Sequence, residues 1–247
     1  MFQIARYSAL VTAALVTACG GGGSDNSVPS DPSPPAPVSS AEGFWTGKAS
    51  TGFDVSLAVL DNGETWGVYT RGGFIYGALY GNTTSSNSTF TGSGREFDLT
   101  TGSVTSSSYT GTYTGKTSLN AQLPNNTTFA ASYGTTYDQP ASLSALAGTY
   151  SGYGVATGAP VQPMSVSISA AGVISAPPSL GCSVSGSVSP RPGGKNVFAM
   201  SITFAGTSCA LGNGATATGV AYHEGGKLLS MGLLPSKVAG FIFTGQK

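Results

Sequence analysis

Short runs in which apolar and polar residues alternate are the feature that most limits what this chain can fold into. Residues 164–169 (MSVSIS) alternate without a break. A second run alternates in the same way, with apolar side chains at Phe198, Met200, Ile202 and Phe204. A period of two residues is that of a β-strand with one buried face, and no window of about twelve residues sustains a helical period. We therefore predict an all-β protein.

The composition agrees with this expectation and limits the partners. Charged residues make up 8% of the chain, against about 25% in an average soluble domain. Lys plus Arg and Asp plus Glu number ten each, so the formal net charge is zero. Because no basic excess is present to attract a polyanion, we expect no nucleic-acid partner.

Two halves of the chain resemble each other. Gly63 and Gly172 are separated by 109 residues, and so are Gly77 and Gly186. Matches that keep one spacing indicate an internal repeat. The halves, 41–137 and 145–247, each have room for about eight short strands, which favours two tandem antiparallel meander barrels or sandwiches. In the second half we predict strands near 148–155, 163–169, 172–176, 181–188, 196–204, 216–223, 227–233 and 238–244.

The front of the chain predicts export. Residues 1–18 carry Arg6, an apolar stretch and small residues before Cys19, which is the pattern of a signal peptide. The stretch VTAC at 16–19 resembles the lipobox of bacterial lipoproteins. This resemblance implies cleavage before Cys19, lipid on its thiol, and a membrane as a partner through that lipid.

Residues 19–40 predict a disordered tether, because Gly, Pro and Ser dominate them and they have little apolar surface to bury. Gly20 directly after the cysteine resembles the pattern of lipoproteins that are passed to the outer membrane. We therefore expect a protein anchored by lipid in the bacterial cell envelope, at the outer membrane if the host is Gram-negative.

Two further resemblances concern the barrels. Residues 43–47 (GFWTG) resemble the first strand of lipocalin and avidin barrels, in which the aromatic side chain plugs one end. Tandem barrels on a lipid anchor are similar in layout to surface lipoproteins that bind transferrin or complement factor H. The second likeness is one of layout, and implies a binding role without naming a ligand.

Cys182 and Cys209 remain as an even pair in an oxidising compartment, which predicts a disulfide worth about 3 kcal/mol. The alternative is a reactive or metal-binding thiol, which needs a neighbouring base or further ligands. The one histidine of the chain, His223, is expected at a solvated turn. We therefore expect no metal site and no cofactor.

The sequence also contains few combinations of residues that could form a catalytic site. No serine lies in a Gly-x-Ser-x-Gly elbow. Asp61 and Glu64 flank Asn62-Gly63, a strong hairpin signal. Glu96 and Asp98 share one face of a predicted strand, which we expect to face solvent. The sequence predicts a protein that is not an enzyme.

Aromatic residues are dense in the first half, and they suggest a binding surface. Tyr and Trp with an intervening Arg are the residue types that dominate binding hot spots. The same residues also favour strands and plug barrels, which is the alternative interpretation. The candidate surface consists of Trp66, Tyr69, Arg71, Tyr76 and Tyr80.

The functional hypothesis is a non-catalytic, lipid-anchored envelope module that binds a protein or a glycan. Two alternatives stay open: a structural or assembly accessory of the outer membrane, and a lipocalin-like carrier of a small apolar ligand. The bulky alternating residues from Phe198 to Phe204 predict a filled second barrel, which weighs against the carrier.

Overall fold

Sixteen antiparallel strands account for most of the part of the chain that the computed structural model describes, residues 40–99 and 101–247. The first eight are β1 (Gly43–Ala49), β2 (Asp54–Val59), β3 (Glu64–Arg71), β4 (Phe74–Ser86), β5 (Thr89–Asp98), β6 (Ser103–Thr114), β7 (Ser118–Gln122) and β8 (Thr128–Gly134). The second eight are β9 (Gly148–Ala156), β10 (Gln162–Ile168), β11 (Val173–Ser179), β12 (Cys182–Pro190), β13 (Val197–Ala205), β14 (Thr216–Glu224), β15 (Lys227–Leu233) and β16 (Gly240–Gln246).

Each set of eight strands forms a closed barrel in which every strand pairs with the next along the chain. The first barrel closes by pairing of β1 with β8, with Trp45 opposite Tyr133. The second closes by pairing of β9 with β16, with Gly152 opposite Gly245. The prediction of two tandem eight-stranded β-domains is confirmed, and of the two architectures left open the barrel is the one present.

Equivalent glycines shape the second hairpin of each half. Gly63 and Gly172 lie in turns with φ of +83° and +79°, a conformation that side chains with a Cβ rarely adopt. The carbonyl of Gly63 accepts a hydrogen bond of 2.7 Å from Thr83 N–H, and that of Gly172 one of 2.8 Å from Val188 N–H. Each turn is thereby hydrogen-bonded to a strand outside its own hairpin, β4 in the first barrel and β12 in the second.

An aromatic side chain closes one end of each barrel. Trp45 is fully buried, and its Nε1–H donates to the carbonyl of Ala41 at 2.9 Å. Tyr150 is equally buried, and its hydroxyl donates to the carbonyl of Leu146 at 2.6 Å. Both hydrogen bonds reach back four residues to the segment that enters the barrel, so each barrel is closed at the end where its first strand begins.

The outer faces of the two barrels pack against each other. Phe44 on β1 stacks on Tyr222 on β14, with ring centroids 4.3 Å apart. Around this pair lies an apolar cluster in which Val68 and Val220 are fully buried. One face of these strands lines a barrel and the other lies between the barrels, so both faces carry apolar residues.

A charged cluster accompanies this contact at the connection between the barrels. Asp138 ends a short 3₁₀ helix, Thr135–Asp138. Its carboxylate pairs with Lys116 of the first barrel and Lys195 of the second, each at 2.8 Å, and accepts from Tyr133 Oη at 3.0 Å. The hydrogen bonds from these two lysines and from Tyr133 lower the pKa of Asp138 to about 2.

Candidate functional site

The first barrel holds a cavity of about 220 Å³ that opens at the end opposite Trp45. Its mouth lies between the β1–β2 turn, which contributes Phe53, and the β7–β8 loop, which contributes Leu123 and Pro124. The remaining wall is mainly apolar and includes Val55, Leu57, Val59, Leu79, Phe90, Leu119 and Phe129. A closed floor, apolar walls and one open mouth form a pocket suited to a small molecule.

One ionisable carboxyl group lies in the wall of this cavity. Glu96 on β5 faces inward beside Tyr69, opposite Leu79 on β4. Burial raises the pKa of Glu96, and the negative charge of Asp98 raises it further. Burial likewise raises the pKa of Tyr69, with a further contribution from Glu96. The expectation that Glu96 faces solvent is wrong, because closure of the barrel turns the face that carries Phe90 and Glu96 inward.

A short polar chain runs along the same wall. Thr83 Oγ1 lies 2.9 Å from Tyr109 Oη and 2.7 Å from Thr65 Oγ1. Tyr109 fits there because β5 has Gly92 beneath its ring, where an added Cβ would come within 2.1 Å of a ring carbon. The absence of a side chain at position 92 therefore lets the Tyr109 phenol lie across the cavity wall.

Arg71 lies at the rim. Its guanidinium sits 4.1 Å from the centroid of the Phe53 ring, and Nη2 donates to the carbonyl of Thr51 at 2.7 Å. Tyr76 lies beside the same ring, with centroids 5.2 Å apart. Arg71 thus holds the β1–β2 and β3–β4 hairpins together at the mouth, and its charge is directed toward the rim.

The second barrel holds a smaller cavity, of about 160 Å³, at its corresponding end. Its lining includes Val166, Ile174, Met200, Ile202 and Phe204, and no ionisable carboxyl or amine group. The expectation that the second barrel is filled holds only in part. Phe198 packs in the core beyond this lining, whereas the other three bulky residues of its strand surround an open space.

The predicted disulfide is confirmed and lies at this second mouth. Cys182 begins β12 and Cys209 lies in the β13–β14 loop, 27 residues further on. Cys182 and Ser208 both line the cavity, next to Leu180, whose side chain is 85% exposed at the rim. The bond therefore fixes two of the loops that frame the opening.

The five residues of the predicted binding surface do not share one exposed face. Trp66 is buried and Tyr80 half-buried beside it between the barrels, with ring centroids 4.5 Å apart. Tyr69 faces the first cavity, while Arg71 and Tyr76 lie at its rim. The structure divides the aromatic cluster between the cavity and the contact of the two barrels.

A polar cleft of about 420 Å³ lies between the barrels, at Trp66. Its floor includes four hydroxyl side chains of the second barrel: Ser187, Ser189, Ser201 and Thr218. Glu64 and Arg191, which pair at 3.2 Å, stand at its edge. Trp66 Nε1 is buried there without a hydrogen-bond partner among the described residues.

The other residues considered for catalysis or metal binding do not form a site in the described part of the chain. His223 lies half-buried within β14 and not at a solvated turn; burial and the nearby Lys247 lower its pKa. The described part of the chain contains no group of three His, Cys, Asp or Glu side chains placed to hold a metal. Asp61 lies at the predicted Asn-Gly turn, and Glu64 pairs with Arg191.

The predictions for the front of the chain concern residues that the structure does not describe. They are the signal peptide at 1–18, the lipid on Cys19 and the tether at 19–40, of which residue 40 alone is described. None of the helices described in residues 40–99 and 101–247 has the length and apolarity needed to cross a membrane.

The fold and its cavities define a class: two closed meander barrels in tandem, each plugged by an aromatic side chain at one end and open to an apolar pocket at the other. No protein-family model, no curated protein and no solved structure matches the chain.

Proposed function

We propose that this chain is a non-catalytic carrier or sensor of a small, mainly apolar molecule, held in the bacterial cell envelope by lipid on Cys19. The observation that carries the proposal is the open cavity of about 220 Å³ in the first barrel. A cavity of about 150 Å³ with apolar walls is enough to bind benzene in an engineered protein, so the first cavity has room for a somewhat larger molecule.

A carrier function is favoured over the binding of a partner on an exposed aromatic surface. Trp66 and Tyr80 pack against the apolar cluster between the barrels, and Tyr69 already faces the first cavity. Large exposed apolar side chains are few among the described residues: Phe74, Val173, Leu180 and Val238. They lie on different hairpins, which makes a broad apolar docking surface a weaker proposal.

Native mass spectrometry of the protein extracted from its own membranes tests the proposal. We expect a small-molecule adduct that denaturation releases, and saturable binding of toluene once the cavity is emptied. Ala121→Phe places a ring in the first cavity, whose wall includes Ala121, and Ala176→Phe does the same in the second. Each variant should abolish one site and leave the other. Absence of both the adduct and saturable toluene binding would overturn the carrier.

Anchoring rests on the lipobox and has its own test. Growth with radiolabelled palmitate should label the protein, and Cys19→Ser should abolish the label and release the chain from the membrane fraction. Label that persists in the variant would contradict lipid on this thiol.

A second function, recognition of a glycan, is favoured by one observation in the cleft between the barrels. A buried indole N–H without an acceptor costs about 1–3 kcal/mol, and a rotation of the Trp66 ring toward the cleft would let a bound hydroxyl satisfy it. The serine and threonine hydroxyls opposite Trp66 are donors and acceptors of the kind that a sugar requires.

Retention of the protein on immobilised envelope polysaccharide tests this second function. Trp66→Phe keeps an aromatic ring and removes the N–H, so it should weaken retention. Ala121→Phe, which alters only the first cavity, is the control and should leave it unchanged. Equal retention of wild type and Trp66→Phe would exclude a role for the indole.

A further inference from the structure

The carboxyl group of Glu96 has no counter-charge in its cavity. Of the residues that line the first cavity, Glu96 is the one with an ionisable carboxyl or amine group. It makes no hydrogen bond and no ion pair with another residue of the described chain. A carboxylate in apolar surroundings is costly unless a cation or hydrogen-bond donors pair with it. The half-buried Glu96 carboxyl group is therefore available to a cationic group that enters the cavity.

Neither the charged group that acts on Glu96 nor the one at the rim supplies a positive partner. Asp98, two residues along the same strand, is negative and adds repulsion. The guanidinium of Arg71 is engaged at the rim by Thr51 and Phe53. Tyr69, on β3, is the neighbouring phenol, and it stays neutral because its pKa is raised. The cavity thus offers negative charge and no positive charge.

Aromatic rings line the same cavity as this carboxyl group. Tyr69, Tyr109, Phe53 and Phe129 all line the same cavity. The faces of such rings attract cations, and an ammonium group near a carboxylate gains from both interactions. Apolar walls at Leu57 and Leu119 would cover the remainder of a bound molecule.

The second barrel provides an internal comparison. Gly77 and Gly186 are equivalent positions on β4 and β12, so Leu79 on β4 corresponds to Val188 on β12. Leu79 is opposite Glu96, and Val188 is opposite Met200. The same position of the barrel wall thus carries a carboxyl group in the first cavity and a thioether in the second.

We propose that the first cavity binds an amphiphilic amine, whose ammonium group pairs with Glu96 and whose apolar part lies along the barrel wall toward Leu57 and Leu119. The second cavity, with Met200 at the equivalent position, binds neutral apolar molecules without this preference. This inference rests on the proposed function, since it names the ligand class of that cavity.

The experiment compares phenethylamine, phenethyl alcohol and phenylpropionate by calorimetry. The whole mature chain is held in lipid nanodiscs, with the heat of empty nanodiscs subtracted. All proteins carry Ala176→Phe, so that the first cavity alone is measured. We expect the amine to bind about tenfold more tightly than the alcohol, because its ammonium group forms an ion pair with the Glu96 carboxylate whereas the alcohol only donates a hydrogen bond to it, and the acid to bind most weakly.

Two variants separate the inference from the function on which it rests. Glu96→Gln keeps the shape of the side chain, and Glu96→Met introduces the residue of the second barrel. Both should remove the preference for the amine and leave affinity for the alcohol within about threefold, since only the charge term is lost.

Equal affinity for amine and alcohol in the wild-type cavity would overturn the inference and leave the carrier intact, as would a preference that survives in Glu96→Gln. Absence of binding by all three compounds would overturn both.

Discussion

The two barrels share a backbone plan and differ in what lines it. Trp45 and Tyr150 close corresponding ends and donate to carbonyls four residues earlier. Gly47 and Gly152 each lie where a Cβ would come within about 2 Å of a carbonyl oxygen on the neighbouring strand, that of Ala130 or of Thr244. Positions that close the barrel and let its strands approach are thus the same in both.

The linings diverge. The first cavity has Glu96 where the second has Met200, and five phenol or phenyl rings line it. The second mouth is fixed by the disulfide between Cys182 and Cys209. The two barrels thus share their mode of closure while their cavities differ in chemistry, which predicts different ligands.

The largest expected effect comes from the shared plug. Trp45→Ala should lower the free energy of unfolding by about 3–5 kcal/mol, because it leaves a cavity at the closed end and orphans the carbonyl of Ala41. Tyr150→Ala should cost a similar amount. Urea denaturation followed by circular dichroism measures both. If one plug could be removed at a cost below about 1 kcal/mol, the two barrels would not close in the same way.

Loss of the disulfide should distinguish the copies. Replacement of Cys182 and Cys209 by serine should cost about 3 kcal/mol, because the unfolded chain gains the freedom of a loop of 27 residues. Hydrogen exchange should accelerate in β11 to β14 and leave β1 to β8 near their wild-type rates. Equal acceleration in both barrels would show that their stabilities are coupled through the interface.

Gly92 tests the lining of the first barrel. Gly92→Ala should cost about 1–3 kcal/mol, because the new Cβ meets the Tyr109 ring at 2.1 Å. Combination with Tyr109→Ala should recover part of the loss, since the ring is then gone. A double-mutant cycle in urea measures this coupling. Additive effects would contradict the close approach of Gly92 and Tyr109.

Asp138 gives a pH-dependent test of the connection between the barrels. Its pKa of about 2 lies below the ordinary value of about 4, so its stabilising effect is present above pH 4 and lost as pH falls toward 2. Because the group is partly exposed, we expect Asp138→Asn to cost about 1 kcal/mol at pH 7. The difference between wild type and variant should vanish near pH 2. A difference that does not change with pH would exclude the ion pairs as its cause.

The contribution of Glu96 to stability should depend on pH in the opposite direction to that of Asp138, and it should be the smallest of these effects. Its pKa is raised, so its contribution to stability is present when protonated and lost as pH rises through the folded-state pKa. Glu96→Met should therefore gain stability relative to wild type between pH 4 and pH 7, by less than about 1 kcal/mol because the carboxyl is only half-buried. Thermal unfolding across that range measures the gain. Loss of stability at pH 7 would mean that Glu96 already has a partner.

The sequence predicted most of the scaffold because turns and alternation are local. The eight strands of the second barrel begin within about two residues of their predicted positions, and Asn62-Gly63 forms the expected hairpin. Cys182 and Cys209 pair as expected. These features depend on neighbouring residues or on simple counting, so one sequence contains them.

The site was harder to predict because alternation does not say which face lies inside. On β5 both faces carry a phenylalanine, since Phe90 faces the cavity and Phe97 the second barrel. Glu96 lies an even number of residues from Phe90 and therefore on the same face of β5. Only this relation could have assigned Glu96 to the interior. Trp66 and Tyr80 were predicted to lie on an exposed surface. The contact between the barrels that buries them is a tertiary feature, and no local sequence pattern indicates it.

The most direct test of the account is a crystal structure of the protein under xenon pressure, since xenon enters apolar cavities of this size. We expect one xenon site beside Leu57 and Leu79 in the first barrel and one beside Val166 and Ile174 in the second. Ala121→Phe should remove the first site alone. Barrels that admit no xenon and are filled by their own side chains would contradict the proposal that they carry a ligand.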